Sequence, residues 1–453
     1  MGSFLVSGLS RIKGEINLAG DKSIAHRSVI LSALSEGKTT IQNFPANADC
    51  LSTINAFKKL GIKVTGKLKL GASGTISVFG KGLLGLDKPK SPIFIADSGT
   101  TLRLLLGVLA GQDFKVKLLA GKSLSKRPML RVTAPLRQMG AEIYGQTGKR
   151  TNGQREEYPP ITIEGGNLKA ITYRMPVASA QVKSAILLAG LYTGGTTKII
   201  EPIKTRDHTE RMLKLFKANI KVKGNQIIIK GDRRLVSPQR IYLPGDISSA
   251  SFFMVAASIL PDSEILMRNV NLNPSRMGIV KVLKRMWADI QLSAVSCQLS
   301  SEPMGDILVK SSKLKGTVVK KEEIPSLIDE LPVLMVAASC ARGKSIFEAV
   351  GELRVKETDR INSMVNNLKK MGADIQVTKS PSHHNTNKEH IVIKGKAELK
   401  GARVKSVGDH RTAMSMFVAG LRAQGKTIID DISCINKSFP GFLATLKNLT
   451  RKG

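Results

Sequence analysis

The stretch LMVAASCARGKSIFEAV (Leu334–Val350) decides the reading of this chain: an apolar, Ala-rich helix, a tight turn, then a short strand. The same pattern returns as ILSALSEGKTTIQNF (30–44), LLLGVLAGQDFKVKL (104–118), ILLAGLYTGGTTKIIEP (186–202), MVAASILPDSEILMRNV (254–270) and MFVAGLRAQGKTIIDDI (416–432). A spacing of roughly 70–85 residues is too long for the common solenoids. A second pattern lies between the copies, an amphipathic helix that ends in a turn and re-enters a strand. It reads KKLGIKV (58–64), RQMGAEI (137–143), FKANIKV (216–222), KRMWADI (284–290) and KKMGADI (369–375), with FLATLKNL (442–449) in the sixth place.

The Ala-rich helices are apolar on nearly all sides, which predicts burial. The second helices alternate Lys with Leu or Met, which predicts an outer position with one wet face. Glycine at the turns suits a helix C-terminus, because it reaches positive φ without penalty. Six such units predict an α/β fold of two pseudo-symmetric lobes, three units in each. The boundary is expected near Pro244–Gly245, giving residues 1–21 plus 244–453 as lobe I and 22–243 as lobe II. The strand before Gly20 is expected to join the later lobe, whose last copy is truncated. A cleft between the lobes is the expected place for a ligand.

Lys and Arg number 70 against 35 Asp and Glu, a formal charge of +35 that favours anionic partners. Aromatic residues make up only 4%, and neither a stacking motif nor a contiguous basic arm is present, which argues against a specific nucleic-acid binder. No apolar run reaches the roughly 18 residues of a membrane span. The N-terminus lacks the pattern of a secretory signal. Cys50, Cys297, Cys340 and Cys434 are scattered, with no metal spacing, which suits a reducing cytoplasm and no structural zinc.

Chemistry is expected where a copy carries polar residues that the others lack. GDKSIAHRSVI (20–30) opens a helix with Lys22, Ser23, His26 and Arg27 within two turns. Free N–H groups at such an end bind phosphate or carboxylate. ADSGTTLRLLLG (96–107) puts Gly99 where a ligand can approach the backbone, with Arg103 one turn inside an apolar helix. An arginine there needs a partner. Arg127 and Arg131 lie four apart around a proline, and a guanidinium fork matches an oxyanion with two bonds. PVASAQVKSAILLAG (176–190) offers Ser179 and Gln181 as neutral readers of hydroxyls. Asp329 and Glu330 precede the apolar helix of Leu334, and ELRVKETDRI (352–361) and GDHRTAMS (408–415) add Lys356, Glu357, Arg360 and Arg411. Basic residues at the ends of buried helices, with at least two carboxylates, predict an enzyme acting on small phosphorylated acids.

GDKSIAHR, DSGTTLR, KRPMLR, PVASAQVKSAILLAGL, RDHTER, PGDISSASFF, NPSR, IDELPVL, ELRVKETDR and GDHRTAMS resemble, in order, the signature segments of the 5-enolpyruvylshikimate-3-phosphate synthase family, in its class II form. The resemblance spans nearly the whole chain, from Gly20 to Phe442. It implies the enolpyruvyl transferase fold, an inside-out α/β barrel of two lobes, each with three βαβαββ units. It also implies transfer of the enolpyruvyl group of phosphoenolpyruvate to the 5-hydroxyl of shikimate 3-phosphate, with release of phosphate, in the shikimate pathway to chorismate and aromatic amino acids.

Residue by residue, the resemblance implies that Lys22, Ser23, Arg27, Ser179, Ala180, Gln181, Arg206, Asp329 and Lys356 contact shikimate 3-phosphate. Lys22, Gly99, Arg127, Gln181, Arg360, Arg411 and Lys437 would bind phosphoenolpyruvate. Asp329 would be the base on the 5-hydroxyl and Glu357 the acid near the methylene carbon, with Lys22 beside them. No cofactor and no metal are implied, and a cytoplasmic monomer is expected. Glu352 stands where some relatives have Asn and is given no role. Some glyphosate-tolerant relatives have Ala where this chain has Gly99, so tolerance is not settled. The rival readings are three. The UDP-N-acetylglucosamine enolpyruvyl transferase uses a cysteine that residues 109–127 lack. The RNA 3′-phosphate cyclase shares the repeat unit, but its nucleotide-linked histidine has no obvious counterpart. A nucleic-acid binder is suggested by the charge alone.

Overall fold

A helix that is apolar on every side has to be covered on every side. Ile247–Ile259 is such a helix, and all of its residues are buried. The computed structural model describes residues 3–9, 11–149, 153–231, 234–379, 389–395 and 398–451. The Ala-rich segments form α1 (Lys22–Leu34), α3 (Gly99–Leu109), α5 (Ala180–Gly190), α7 (Ile247–Ile259), α10 (Leu331–Cys340) and α12 (His410–Arg422). The amphipathic segments form α2 (Ala48–Lys59), α4 (Leu130–Gln138), α6 (His208–Leu215), α8 (Gly278–Arg285), α11 (Arg360–Lys370) and α13 (Phe442–Arg451), with a one-turn α9 (Ile324–Leu327) before α10.

The chain divides into two units. The first holds Gly20–Leu243 with Gln298–Glu302, the second Met1–Ala19, Pro244–Cys297 and Pro303–Gly453. In the first unit, strand Ile93–Phe94, α3, strand Lys115–Leu119, α4, then strands Glu142–Lys149 and Arg155–Glu164 spell βαβαββ. The short leading strand runs parallel to Lys115–Leu119, and the other two add antiparallel to one side. Thr172–Arg174 opens a second copy of the same kind around α5 and α6. In the copy around α1, the leading strand comes from the far end of the unit, where Arg240–Tyr242 pairs with Thr40–Gln42.

The second unit repeats this plan. Lys13–Asn17 runs parallel to Glu264–Arg268 in the α7 copy, and Val318–Val319 leads the α10 copy. In the α12 copy, Arg403–Val404 runs parallel to Ile428–Ile429 on one side, and Phe4–Ser7 pairs antiparallel with Lys426–Ile429 on the other. The strands therefore make six separate open sheets of three or four strands, and no sheet closes on itself among the described residues. The α/β fold expected from the resemblance is therefore present, with three βαβαββ copies in each unit and open sheets as its building blocks.

Each unit has its own apolar core of Leu, Ile, Val, Ala and Phe. In the first unit, α3 approaches α5 so closely that a Cβ on Gly107 would lie 2.3 Å from the Ala185 carbonyl oxygen. Five buried helices start with a side-chain cap, from Asp21, Ser98, Ser179, Asp246 and Asp409. Caps of this kind contribute about 1 kcal/mol each. After the outer helices, Gly61, Gly140 and Gly372 take φ of 82°, 111° and 87°, as the turns require. Lys217 and Trp287 hold the same left-handed position at 63° and 72°.

Candidate active site

In the first unit, the cap of Asp21 orients the opening turn of α1, with its carboxylate accepting the N–H groups of Ser23 and Ile24. Lys22 leaves that turn and pairs with Asp49 of α2 at 2.9 Å. Arg27 lies one turn on. It donates Nε to Thr209 Oγ1 at 2.7 Å, Nη1 to the Ser23 carbonyl at 2.7 Å, and Nη2 to Ser184 Oγ at 2.8 Å. Three fixed donors lock a guanidinium as a rigid fork. Burial pulls the Arg27 pKa down to about 10, against the attraction of Glu210 and Asp21; Arg206 pushes it in the same direction as burial.

The starts of α3 and α5 are tied together. Gln181 accepts from Arg103 Nη1 at 2.6 Å and donates to Thr100 Oγ1 at 2.9 Å. Arg103 also donates to the Pro128 carbonyl at 3.4 Å. Asp97 accepts the N–H groups of Ser123 and Leu124 and thereby holds the turn that leads into Arg127. A Cβ on Gly99 would meet Arg127 Nη1 at 2.5 Å and Arg103 Nη1 at 3.1 Å. Glycine at this point leaves room for two guanidinium groups. Ser179 caps α5, and Ala180 is its first residue.

His26 is wholly buried on α1. Its Nδ1 meets Thr53 Oγ1 at 2.6 Å, and Nε2 has no hydrogen-bond partner. Burial, then Lys22 and Arg27, push its pKa well below the usual histidine range, with Asp21 opposing them.

In the second unit, Arg360 is the hub. Its Nε meets Asp409 Oδ2 at 2.8 Å, Nη1 meets Asp329 Oδ1 at 3.3 Å, and Nη2 pairs with Glu357. Burial alone would disfavour its charge, but the attraction of Asp409, Glu357 and Asp329 outweighs this and raises its pKa. Arg411 donates to the Asp329 carbonyl at 2.9 Å and lies 3.5 Å from its carboxylate. Lys437 donates to the Gly408 carbonyl at 3.3 Å, and Lys356 sits 3.5 Å from Glu352. The neighbouring carboxylates at the start of α10 divide the work. Glu330 is fully buried and accepts from Ser248, with Arg276 3.8 Å away. Asp329 keeps some exposure and faces the two arginines. Among the described residues no group of His, Cys, Asp and Glu is arranged to hold a metal ion.

The EPSP synthase family model, described as 3-phosphoshikimate 1-carboxyvinyltransferase, matches residues 6–446 of this chain. The chain belongs to the EPSP synthase family. It is 45% identical to the 3-phosphoshikimate 1-carboxyvinyltransferase of Geobacillus kaustophilus, over 98% of this chain and 99% of that protein. It is 46% identical to the enzyme of that name from Pelotomaculum thermopropionicum, over 96% of each. The crystal structure of EPSP synthase from Acinetobacter baumannii superposes with a TM-score of 0.81 at 39% identity, covering 99% of this chain and 97% of that one. The enolpyruvyl transferase NikO from Streptomyces tendae shares the fold, with a TM-score of 0.73 at 16% identity.

For an EPSP synthase, the sequence analysis named the outer side chains and missed the ones that hold them. Asp49, Thr209 and Ser184 carry no pattern of their own, because short hydroxyl and carboxylate residues are common on any helix. Asp409 was legible, because it stands with His410 and Arg411 at the start of the last buried helix. No helix among the described residues is long and apolar enough to cross a membrane.

Proposed function

We propose that this member of the EPSP synthase family transfers the enolpyruvyl group of phosphoenolpyruvate to the 5-hydroxyl of shikimate 3-phosphate, as a cytoplasmic monomer. The observation that carries the residue roles is the second unit's cluster, in which Asp329 and Glu357 share Arg360 while Arg411 is held on Asp329. One buried cation places both carboxylates in the same site, the geometry that proton transfer at neighbouring atoms requires.

Asp329 takes the proton of the 5-hydroxyl, whose oxygen attacks C2 of phosphoenolpyruvate. Glu357 protonates the methylene carbon. Glu357 then takes a proton back from the new methyl group of the tetrahedral adduct as phosphate leaves with the proton held on Asp329, and the enol ether forms. Lys22, Arg127, Arg360, Arg411 and Lys437 hold the phosphate and carboxylate of phosphoenolpyruvate; Gly99 leaves space for it, and Gln181 contacts it. Lys22, Ser23, Arg27, Ser179, Ala180, Gln181, Arg206 and Lys356 hold shikimate 3-phosphate. Fixed cations aimed at developing negative charge are worth more in a dry site than in water.

Phosphate release with phosphoenolpyruvate, measured with shikimate 3-phosphate in one tube and UDP-N-acetylglucosamine in another, tests the reaction. Release only with the nucleotide sugar would overturn it. Asp329→Ala should retain shikimate 3-phosphate binding by calorimetry and lose about 100- to 10,000-fold in turnover. Arg360 still has Glu357 and Asp409 in that variant, so lost binding would move Asp329 to a structural role.

A further inference from the structure

The reaction gives no task to a cluster of three buried ionisable side chains in the first unit. Lys183 of α5 has a side chain 1% exposed, with its ammonium 3.1 Å from Glu201 Oε2 and 2.7 Å from Glu210 Oε1. Both carboxylates are nearly as deep. Burial raises the Glu210 pKa against the attraction of Lys183, and Glu210 Oε2 has no hydrogen-bond partner. Well-packed apolar residues can replace such a group without loss of stability. Packing alone therefore does not call for a lysine here.

Each member of the cluster reaches a residue assigned to substrate through one intervening residue. Glu201 follows the strand Thr196–Ile200 and accepts both the N–H of Thr205, at 3.1 Å, and the Thr205 hydroxyl. Thr205 precedes Arg206 in a segment that is neither helix nor strand. Lys183 precedes Ser184, and Glu210 follows Thr209. Arg27 can only donate, so Thr209 accepts its Nε. Thr209 then passes its own proton to Ser184 Oγ at 2.6 Å, and Ser184 donates to the Ala180 carbonyl at 2.6 Å. The chemistry fixes the direction of this chain.

We propose that Lys183 and Glu201 are positioning residues for the phosphate of shikimate 3-phosphate: the buried ammonium holds Glu201, Glu201 holds Thr205, and Arg206 is thereby aimed. The same ammonium holds Glu210 next to Thr209, which seats Arg27. This rests on the assignment of Arg206 and Arg27 to that substrate.

Steady-state kinetics of Lys183→Met, Thr205→Val and Arg206→Ala, varying each substrate in turn, test the proposal. Lys183→Met should raise KM for shikimate 3-phosphate about 10- to 100-fold, as the loss of a buried polar contact does. KM for phosphoenolpyruvate should stay within about twofold, because one substrate's binding is affected and not the other's. Thr205→Val, which removes the hydroxyl half of the link, keeps its N–H half and strands no buried charge, should raise the same KM about three- to tenfold. Adding Lys183→Met to Arg206→Ala should raise KM by less than the product of the two single effects, since coupled residues are not additive. If Lys183→Met does not fold, Thr205→Val decides the matter. Equal rises in both KM values, or a lowered Tm with both KM values unchanged, would overturn the positioning role while leaving the site assignment standing. An Arg206→Ala enzyme with unchanged KM would remove that assignment and the proposal with it.

Discussion

Trp287 holds a backbone conformation that three sister copies give to glycine, at φ 72°. Its ring is covered on one face by the Lys315 ammonium, 3.2 Å from the ring centroid. A non-glycine residue in the left-handed region costs about 1–2 kcal/mol. Comparing Trp287→Gly with Trp287→Ala removes the ring in both and isolates this cost. The glycine variant should be about 1 kcal/mol more stable in urea titrations; equal midpoints would mean the turn is unstrained. His26 supports a second prediction at this scale. Its pKa is lowered on folding, so the unfolded chain takes up a proton near 6.5 while the folded one does not. Stability from this residue is therefore present above pH 6.5 and lost as pH falls toward the folded value. The slope for one proton is at most about 1.4 kcal/mol per pH unit. His26→Asn should lose less stability than the parent between pH 7.5 and 5.5, as read from urea midpoints (conditions chosen at about one unit on either side of the free imidazole). A parallel fall in both would show that the imidazole titrates freely.

At the scale of elements, the packing of α3 on α5 depends on a missing side chain. Gly107→Ala pushes a methyl group into backbone that neither helix can easily move. The expected loss is about 1–3 kcal/mol, as for other overpacked cores, and thermal unfolding would show it; an unchanged Tm would mean the helices slide apart freely. The helices themselves were legible in the sequence, because apolar periodicity and cap residues are local properties. So were the segments around Lys22, Gly99, Asp329 and Arg360, where polar residues interrupt an otherwise apolar copy. The leading strands were not. Ile93–Phe94 and Arg240–Tyr242 are too short to show alternation, and the second pairs with Thr40–Gln42, far back along the chain. The Lys183 cluster was hidden for a related reason: a lysine in an Ala-rich helix looks the same whether it meets water or two carboxylates.

At the scale of the whole molecule, the charge of +35 sets a field that small anions cross before reaching any particular arginine. Attraction of that kind weakens as salt shortens the screening length to about 10 Å or less. We expect kcat/KM to fall roughly threefold or more between low and physiological ionic strength, with kcat nearly constant. A salt-independent kcat/KM would confine the charge to solubility. The two apolar cores belong to different parts of the sequence, and the repeats account for why each core is built from three similar helix pairs.

The pairing of Ser7 with Lys426 has a consequence for how the protein is made. Strand Phe4–Ser7 leaves the ribosome some 420 residues ahead of its partner, a wait of roughly 20–80 s at 5–20 residues per second. During that interval it is an exposed strand edge of the kind that chaperones shield and aggregates recruit. The first unit needs nothing beyond Glu302 and is free to fold during synthesis. The second cannot finish until Lys426–Ile429 has emerged, so its completion falls late in translation, whatever the first has done by then.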